Sequence, residues 1–162
     1  CMLRKIALLF VLVPLVAFFG CATDDDSANS GSGDGHFTVS EEMYEQTFSE
    51  VDQVIEDLNQ IIAQEDYEAW LRYLTPEYID SIMEPENLAA LNNSTLLQRN
   101  SITLETLRDY FTYVVVPSRT GLRLDDLVFI DDNTVQAIMI IRDQRAILYL
   151  LRRVDGRWRI SV

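Results

Sequence analysis

The chain has 162 residues, of which 48% are hydrophobic and 24% are charged, a composition typical of a globular protein. Without residues 1–20, whose only charged side chains are Arg4 and Lys5, eleven basic and 26 acidic residues remain, a net charge of −15. Such a chain repels phosphate backbones, which disfavours nucleic acid as a partner. Residues 38–162 are enough for one domain with a single hydrophobic core.

Residues 1–20 have the pattern of an export signal. Two basic residues precede an apolar stretch, Ile6–Phe19, and small Gly20 follows it. The stretch is shorter than the roughly 20 residues that a membrane-spanning helix needs. We therefore expect cleavage after Gly20, which leaves Cys21 as the first residue of the mature chain.

The segment Phe18-Phe19-Gly20-Cys21 resembles the lipobox of bacterial lipoproteins. The resemblance implies that Cys21 receives a diacylglyceryl group and further fatty acyl chains such as palmitate. These chains would anchor the protein to a membrane of the cell envelope, on the exported side. Taking Met2 as the natural start, the mature chain has one cysteine, which forms no disulfide framework and which lipidation explains. The alternative is an ordinary secreted protein that is cleaved at a nearby small residue.

Residues 21–37 contain the lipidated cysteine and a linker rich in Gly, Ser and Asp. This composition cannot bury enough apolar surface to order itself, so we expect a flexible acidic linker that spans roughly 20 Å. Three adjacent aspartates, Asp24–Asp26, lack the alternate spacing of an EF-hand calcium loop, and we interpret them as part of the linker.

The first half of residues 38–162 has helical periodicity. Apolar side chains at three- and four-residue steps predict a long amphipathic helix over Val39–Gln64, with Thr38 and Glu41 as a capping box. Shorter helices are predicted over Tyr67–Leu74, over Tyr78–Met83 with Thr75 as the N-cap and Pro76 at the first helical position, over Pro85–Leu91, and from a Thr103 cap to about Tyr113.

After Pro117 the period changes to that of strands. Four apolar runs predict an antiparallel meander, over Leu122–Ile130, Val135–Arg142, Ala146–Val154 and Arg157–Val162. The second and third runs are apolar on both faces, so we expect the second face of the sheet to be covered. Helices first and a sheet last predict an α+β domain.

Several segments resemble the nuclear-transport-factor-two-like, or cystatin-like, α+β cone. They are the long first helix, the run Glu65–Leu71, the restart Thr75–Tyr78 and the ending Tyr149–Ile160. The resemblance implies N-terminal helices packed on one face of a curved, cone-like antiparallel sheet. Members of this fold include isomerases, dehydratases, ligand carriers and catalytically silent domains, so fold alone does not give the function.

Chemistry-bearing motifs are few. The single histidine, His36, lies at the end of the linker, which disfavours a histidine base and a His/Cys metal site. We predict no metal, no cofactor and no assigned catalytic residue. The remaining enzymatic hypothesis is a pocket carboxylate with a raised pKa beside a tyrosine, for which Tyr73, Tyr78 and Asp80 are the first residues to test.

Aromatic side chains on the helices give a second hypothesis, an apolar ligand pocket. The residues concerned are Trp70, Tyr73, Tyr78, Tyr110, Phe111 and Tyr113. At helical spacing such residues more often belong to the core.

Three function classes therefore stay open. The favoured one is an envelope lipoprotein, lipid-anchored to a membrane, with a non-catalytic domain that binds an envelope protein or forms a homodimer through the second sheet face. The alternatives are a carrier of a small apolar ligand and an isomerase- or dehydratase-like enzyme.

Overall fold

The computed structural model describes residues 37–162. The predictions for the export signal, for Cys21 and for the linker up to His36 lie outside these residues. No helix in the described range is long and apolar enough to cross a membrane.

Helix α1, Glu41–Ala63, forms the predicted long amphipathic helix. Its buried apolar residues recur at three- and four-residue steps and face the core: Val51, Ile55, Leu58 and Ile62. The predicted Thr38 cap is wrong, because the Ser40 side chain accepts the Met43 N–H at 3.2 Å and occupies the N-cap position.

Six shorter α-helices follow α1. They are α2 Tyr67–Leu71, α3 Pro76–Met83, α4 Pro85–Asn92, α5 Thr95–Arg99, α6 Leu107–Tyr110 and α7 Val116–Ser118, with a π-helical turn over Phe111–Val115 between the last two. The predicted start of α3 is confirmed, since the Thr75 hydroxyl accepts the Tyr78 N–H and Pro76 is the first helical residue. Helix α5 was not predicted.

Helix α2 ends three residues earlier than predicted because the chain after it pairs with the sheet. Leu74 forms an isolated parallel bridge with Ile160. The Ile160 N–H donates to the Tyr73 carbonyl at 2.6 Å, and the Thr75 N–H donates to the Ile160 carbonyl at 2.9 Å. Strand pairing has replaced the last predicted helical turn.

The N-cap of helix α6 is Thr106 and not Thr103, so the predicted cap is wrong. The Thr106 hydroxyl accepts the Asp109 N–H at 3.1 Å, and the Asp109 carboxylate accepts the Thr106 N–H at 2.8 Å. This reciprocal pair is a capping box. The helical path also continues beyond Tyr113, through the π-helical turn to α7, in which Pro117 lies near the start, where a missing N–H is tolerated.

Four strands form one antiparallel sheet in the order β1-β2-β3-β4. They are β1 Asp126–Asp131, β2 Thr134–Ile141, β3 Gln144–Val154 and β4 Arg157–Ser161. The predicted meander is confirmed. Its first strand starts four residues later than predicted, because the Asn59 side chain on α1 binds both the N–H and the carbonyl of Leu122, at 3.0 and 2.6 Å.

A β-bulge in β3 explains much of its unbroken apolar run. Ala137 lies opposite Tyr149 and Ile138 lies opposite Ile147, so Leu148 is an extra residue on β3. Leu148 and Tyr149 are consequently both buried in the core, whereas Ile147 is 58% exposed.

The main hydrophobic core joins α1 to one face of the curved sheet, with Val51 and Ile55 of the helix in the same cluster as Val135 and Leu151 of the central strands. The predicted α+β class is confirmed. On the other face Ile138 is buried, but Ile140 and Ile147 are exposed, so the described residues leave part of that face open.

Candidate functional site

An open cleft of about 700 Å³ lies between α1 and the β3–β4 hairpin. Its lining combines polar, charged and aromatic side chains: Ser49, Glu50, Gln53, Val54, Arg72, Tyr73, Gly156, Arg157 and Trp158. One wall is α1, and the opposite wall is built from the segment after α2 and the hairpin. The bridge between Leu74 and Ile160 fixes these two parts of the second wall to each other.

Hydrogen bonds to Glu50 connect α1 to the β3–β4 hairpin. Glu50 Oε2 accepts the Trp158 Nε1–H at 2.9 Å and also a hydrogen bond from Arg153, while its Oε1 accepts from Gln46 at 3.1 Å. Burial alone would raise the pKa of Glu50, but the hydrogen bonds from Trp158 and Gln46 and the charge of Arg153 hold the pKa below its usual value. The Glu50 side chain is therefore ionised at neutral pH and is held in place by its hydrogen bonds.

Tyr73 makes the second contact between the two walls. Its hydroxyl donates to Asp57 Oδ2 at 2.9 Å, and Gln53 donates to Asp57 Oδ1 at 2.9 Å. Burial, together with the Asp57 carboxylate, raises the pKa of Tyr73 to about 12. The phenol therefore remains a hydrogen-bond donor throughout the physiological range.

A second group of polar atoms lies inside the domain, where three tyrosines and one arginine meet. The hydroxyls of Tyr78 and Tyr110 are 3.3 Å apart, and the Tyr149 hydroxyl is buried with no hydrogen-bond partner among the described residues. The Arg119 guanidinium lies 5.2 Å from the centre of the Tyr149 ring, and its Nη1 donates to the Leu148 carbonyl at 3.0 Å. We refer to Tyr78, Tyr110, Tyr149 and Arg119 as the tyrosine cluster.

Burial is the main cause of the pKa shifts of Tyr149 and Tyr78 in this cluster. It raises the pKa of Tyr149 to about 12 and raises the pKa of Tyr78 further, with Tyr110 adding to the shift at Tyr78. Both phenols are neutral at physiological pH and act as donors or acceptors rather than as bases.

The structure distributes the six predicted aromatic residues over several environments. Trp70 and Phe111 are core residues whose ring centres are 4.9 Å apart. Tyr78 and Tyr110 meet in the tyrosine cluster, Tyr73 lines the cleft, and Tyr113 is 42% exposed. Their role in ligand binding stays a prediction.

The residues proposed for an enzymatic pair are also separated. Asp80 is exposed on α3, whereas Tyr73 bonds to Asp57 and Tyr78 bonds to Tyr110. Among residues 37–162, no group of three or more His, Cys, Asp or Glu side chains is arranged to hold a metal ion.

Sequence reasoning missed Glu50 and Trp158 in the cleft, and Arg119 and Tyr149 in the tyrosine cluster. Glu50 shares an exposed-looking face of α1 with many other acids, so only its contact with the hairpin distinguishes it. Tyr149 lies in an apolar run whose β-bulge has no clear signal in the sequence.

Comparison with known proteins finds similarity to a bacterial lipoprotein. The chain is similar to an uncharacterized lipoprotein of Treponema pallidum (strain Nichols), with 32% identity over 126 residues, which cover 78% of this chain and 66% of the relative. This similarity supports the prediction that the chain is a bacterial lipoprotein. The chain spans just under two thirds of the relative's length. No family model matches the chain, and no solved structure matches it.

Proposed function

We propose that this chain is an exported lipoprotein of the cell envelope, with diacylglyceryl and acyl groups on Cys21 as its membrane anchor. The export pattern of residues 1–20 and the lipobox resemblance support the proposal, as does the similarity to a lipoprotein. Cys21→Ser is expected to abolish globomycin-sensitive processing and to move the protein from the detergent phase to the aqueous phase. Unchanged processing and partition would contradict the anchor.

We further propose that the folded domain is non-catalytic and that it binds its partner or ligand in the cleft between α1 and the β3–β4 hairpin. The observation that carries this proposal is the pair of bonds across the cleft, Glu50 to Trp158 and Tyr73 to Asp57. These bonds fix the side chains before anything binds, which reduces the entropy lost on binding.

Ionisation in the site supports binding over acid–base catalysis. A general base is most effective when its pKa lies near the working pH. In the cleft the pKa of Glu50 is lowered and the pKa of Tyr73 is raised, so both groups are held in one protonation state at neutral pH.

A photo-crosslinking residue in the cleft tests this role in intact cells. Ser49 lines the cleft and is exposed, and Gln98 on α5 is an exposed control position away from it. We expect an adduct from position 49 that is absent from position 98. No adduct at either position, or equal adducts at both, would contradict the cleft as the binding site.

One observation favours a second candidate function, the carriage of a small ligand inside a cone-like domain of the nuclear-transport-factor-two type. A buried hydroxyl without a partner is costly, and the Tyr149 hydroxyl is in this state. A ligand that accepts or donates at this atom would remove the cost. Native mass spectrometry of protein isolated from membranes should then show a bound mass that Tyr149→Phe reduces, and a wild-type protein without bound mass would contradict the carrier.

We also propose that the exposed part of the outer sheet face forms a homodimer contact. Ile140 and Ile147 are 40% and 58% exposed on neighbouring strands, and a second copy would cover them. Large exposed apolar side chains grouped in this way are typical of interaction surfaces.

A further inference from the structure

We propose that the cleft is selective for an oxyanion attached to an apolar body, with Arg72 and Arg157 binding the carboxylate or phosphate oxygens. This inference rests on the proposed function of the cleft as a binding site and names the class of ligand. The charged groups of the cleft differ in whether other side chains among residues 37–162 already bind them.

The acidic groups at the α1 wall are engaged within the protein. Both carboxylate oxygens of Glu50 accept hydrogen bonds, from Gln46 on one side and from Trp158 and Arg153 on the other. Both oxygens of Asp57 are similarly engaged by Gln53 and Tyr73. The oxygens of both carboxylates therefore have partners within the protein, and the charge of Glu50 is paired with that of Arg153.

Among the described residues, the two arginines on the opposite wall have no such partners. Arg72 and Arg157 are exposed, and neither belongs to the ion pairs found in residues 37–162, which involve Arg108, Arg123, Arg145 and Arg153. Both line the cleft together with Tyr73, whose pKa is raised mainly by burial and by Asp57 and is lowered slightly by the charges of the two arginines. The unengaged charges that line the cleft are therefore cationic, and guanidinium groups match the paired oxygens of carboxylate and phosphate.

The backbone holds these two arginines at fixed points of the cleft. Arg72 is the C-cap residue of α2, and its N–H bonds to the Ala69 carbonyl. Arg157 opens β4 directly after Gly156, whose φ of +74° forms the tight hairpin turn. The side chains of Arg72 and Arg157 therefore extend from two hydrogen-bonded segments, the end of α2 and the start of β4.

The rest of the lining suits the apolar part of such a ligand. Val54 and Tyr73 are half-buried, and the buried indole of Trp158 also lines the cleft, bonded to Glu50. Residues 37–118 carry 16 acids and three arginines, one of which is Arg72, so the charge around the cleft repels ligands with several negative groups. A ligand with a single anionic group and a short apolar chain fits both the apolar lining and the acidic surroundings of the cleft.

The two tryptophans provide a direct test by nuclear magnetic resonance. Trp158 lies at the cleft and Trp70 in the core, so the two indole N–H signals report binding and fold integrity separately. The mature chain with Cys21→Ser, which lacks the lipid, is titrated with hexanoate, hexyl phosphate and uncharged hexanol. We expect both anions to shift the Trp158 signal at concentrations that leave Trp70 unchanged, and hexanol to have little effect.

Arginine variants identify the groups that bind the anion. Arg72→Ala and Arg157→Ala should each weaken hexanoate binding about fivefold, as expected for partly exposed charge contacts. Arg99→Ala, an exposed arginine on α5, should leave binding unchanged. Equal weakening by all three variants, or none by Arg72→Ala and Arg157→Ala, overturns the assignment.

The same titrations separate this inference from the proposed function. Equal shifts with hexanol and hexanoate would retain the cleft as a binding site and overturn its selectivity for anions. No shift of Trp158 with any probe up to millimolar concentration would overturn both. Co-sedimentation with vesicles of phosphatidylglycerol in phosphatidylcholine, compared with phosphatidylcholine alone, then distinguishes a lipid phosphate from a free organic acid as the source of the anion.

Discussion

At the scale of single residues, the carboxylates on and near α1 determine how the helix is attached to the sheet. Glu50 accepts from Trp158 and Arg153 on the strands, and Asp126 at the start of β1 accepts from Tyr44 on α1 at 2.6 Å. Each is a polar contact between elements far apart in the chain. Such contacts set the position of the helix along the sheet, whereas the apolar core supplies most of the burial.

The first prediction concerns Glu50. Glu50→Ala leaves the Trp158 N–H without its acceptor and Arg153 without its counter-ion, so we expect the free energy of unfolding to fall by about 1–2 kcal/mol. Urea unfolding followed by tryptophan fluorescence measures the change. Glu45→Ala, an exposed acid on the same helix, is the control and should remain within about 0.5 kcal/mol of wild type. Equal losses in the two variants would contradict the role given to Glu50.

The second prediction concerns Asp126 and pH. Burial alone would raise the pKa of Asp126, but hydrogen bonds from Tyr44 and the Leu127 N–H and the charge of Arg145 lower it below its unfolded value of about 3.9. A lowered folded-state pKa stabilises the protein above the unfolded pKa, and the contribution is lost as pH falls through the folded pKa.

Asp126→Asn should therefore be less stable than wild type at neutral pH, and the difference should shrink as pH falls below about 4. Urea unfolding at a series of pH values measures the difference. Asp132→Asn, at the exposed turn between β1 and β2, should show no such convergence. A difference that is constant with pH would show that Asp126 does not act through its charge.

At the scale of elements, periodicity predicted where helices and strands exist, but local hydrogen bonds decided where they begin. Thr103 and Thr106 both precede the apolar pattern of α6, and either could cap a helix. The structure uses Thr106 because Asp109 is placed to complete the reciprocal pair with it.

The third prediction uses these two threonines as a matched pair. Thr106→Ala removes the acceptor of the Asp109 N–H and should destabilise the domain by about 1 kcal/mol. Thr103→Ala should remain within about 0.5 kcal/mol of wild type. Thermal or urea unfolding distinguishes them, and a larger effect at Thr103 would restore the predicted start of the helix.

At the scale of the whole molecule, the two faces of the sheet have different roles. One face carries the core under α1, and the other leaves Ile140 and Ile147 exposed. The apolar pattern of β2 and β3 predicted a covered second face. The β-bulge at Leu148 accounts for part of that pattern within one chain, and the proposed homodimer accounts for the exposed remainder.

The fourth prediction concerns this homodimer. Size-exclusion chromatography with light scattering at micromolar concentration should give the mass of a dimer for the wild type and of a monomer for Ile147→Glu. Leu96→Glu, at a 62% exposed leucine on α5, should leave the dimer intact. A monomeric wild type would contradict the dimer.

From the amino-acid sequence alone we could predict the α+β class, the long first helix, the Thr75–Pro76 restart and the four-strand meander. These features follow from side-chain periodicity and from residues that act on their immediate neighbours, and both can be recognised along a single chain.

Which polar side chains meet depends on how distant parts of the chain pack together. Glu50 and Trp158 are 108 positions apart, and Tyr44 and Asp126 are 82 apart. The cleft, the tyrosine cluster and the unengaged arginines all depend on such distant pairs. No local pattern encodes them, because their geometry is set by how α1 packs on the sheet and by a bulge that shifts the register of one strand.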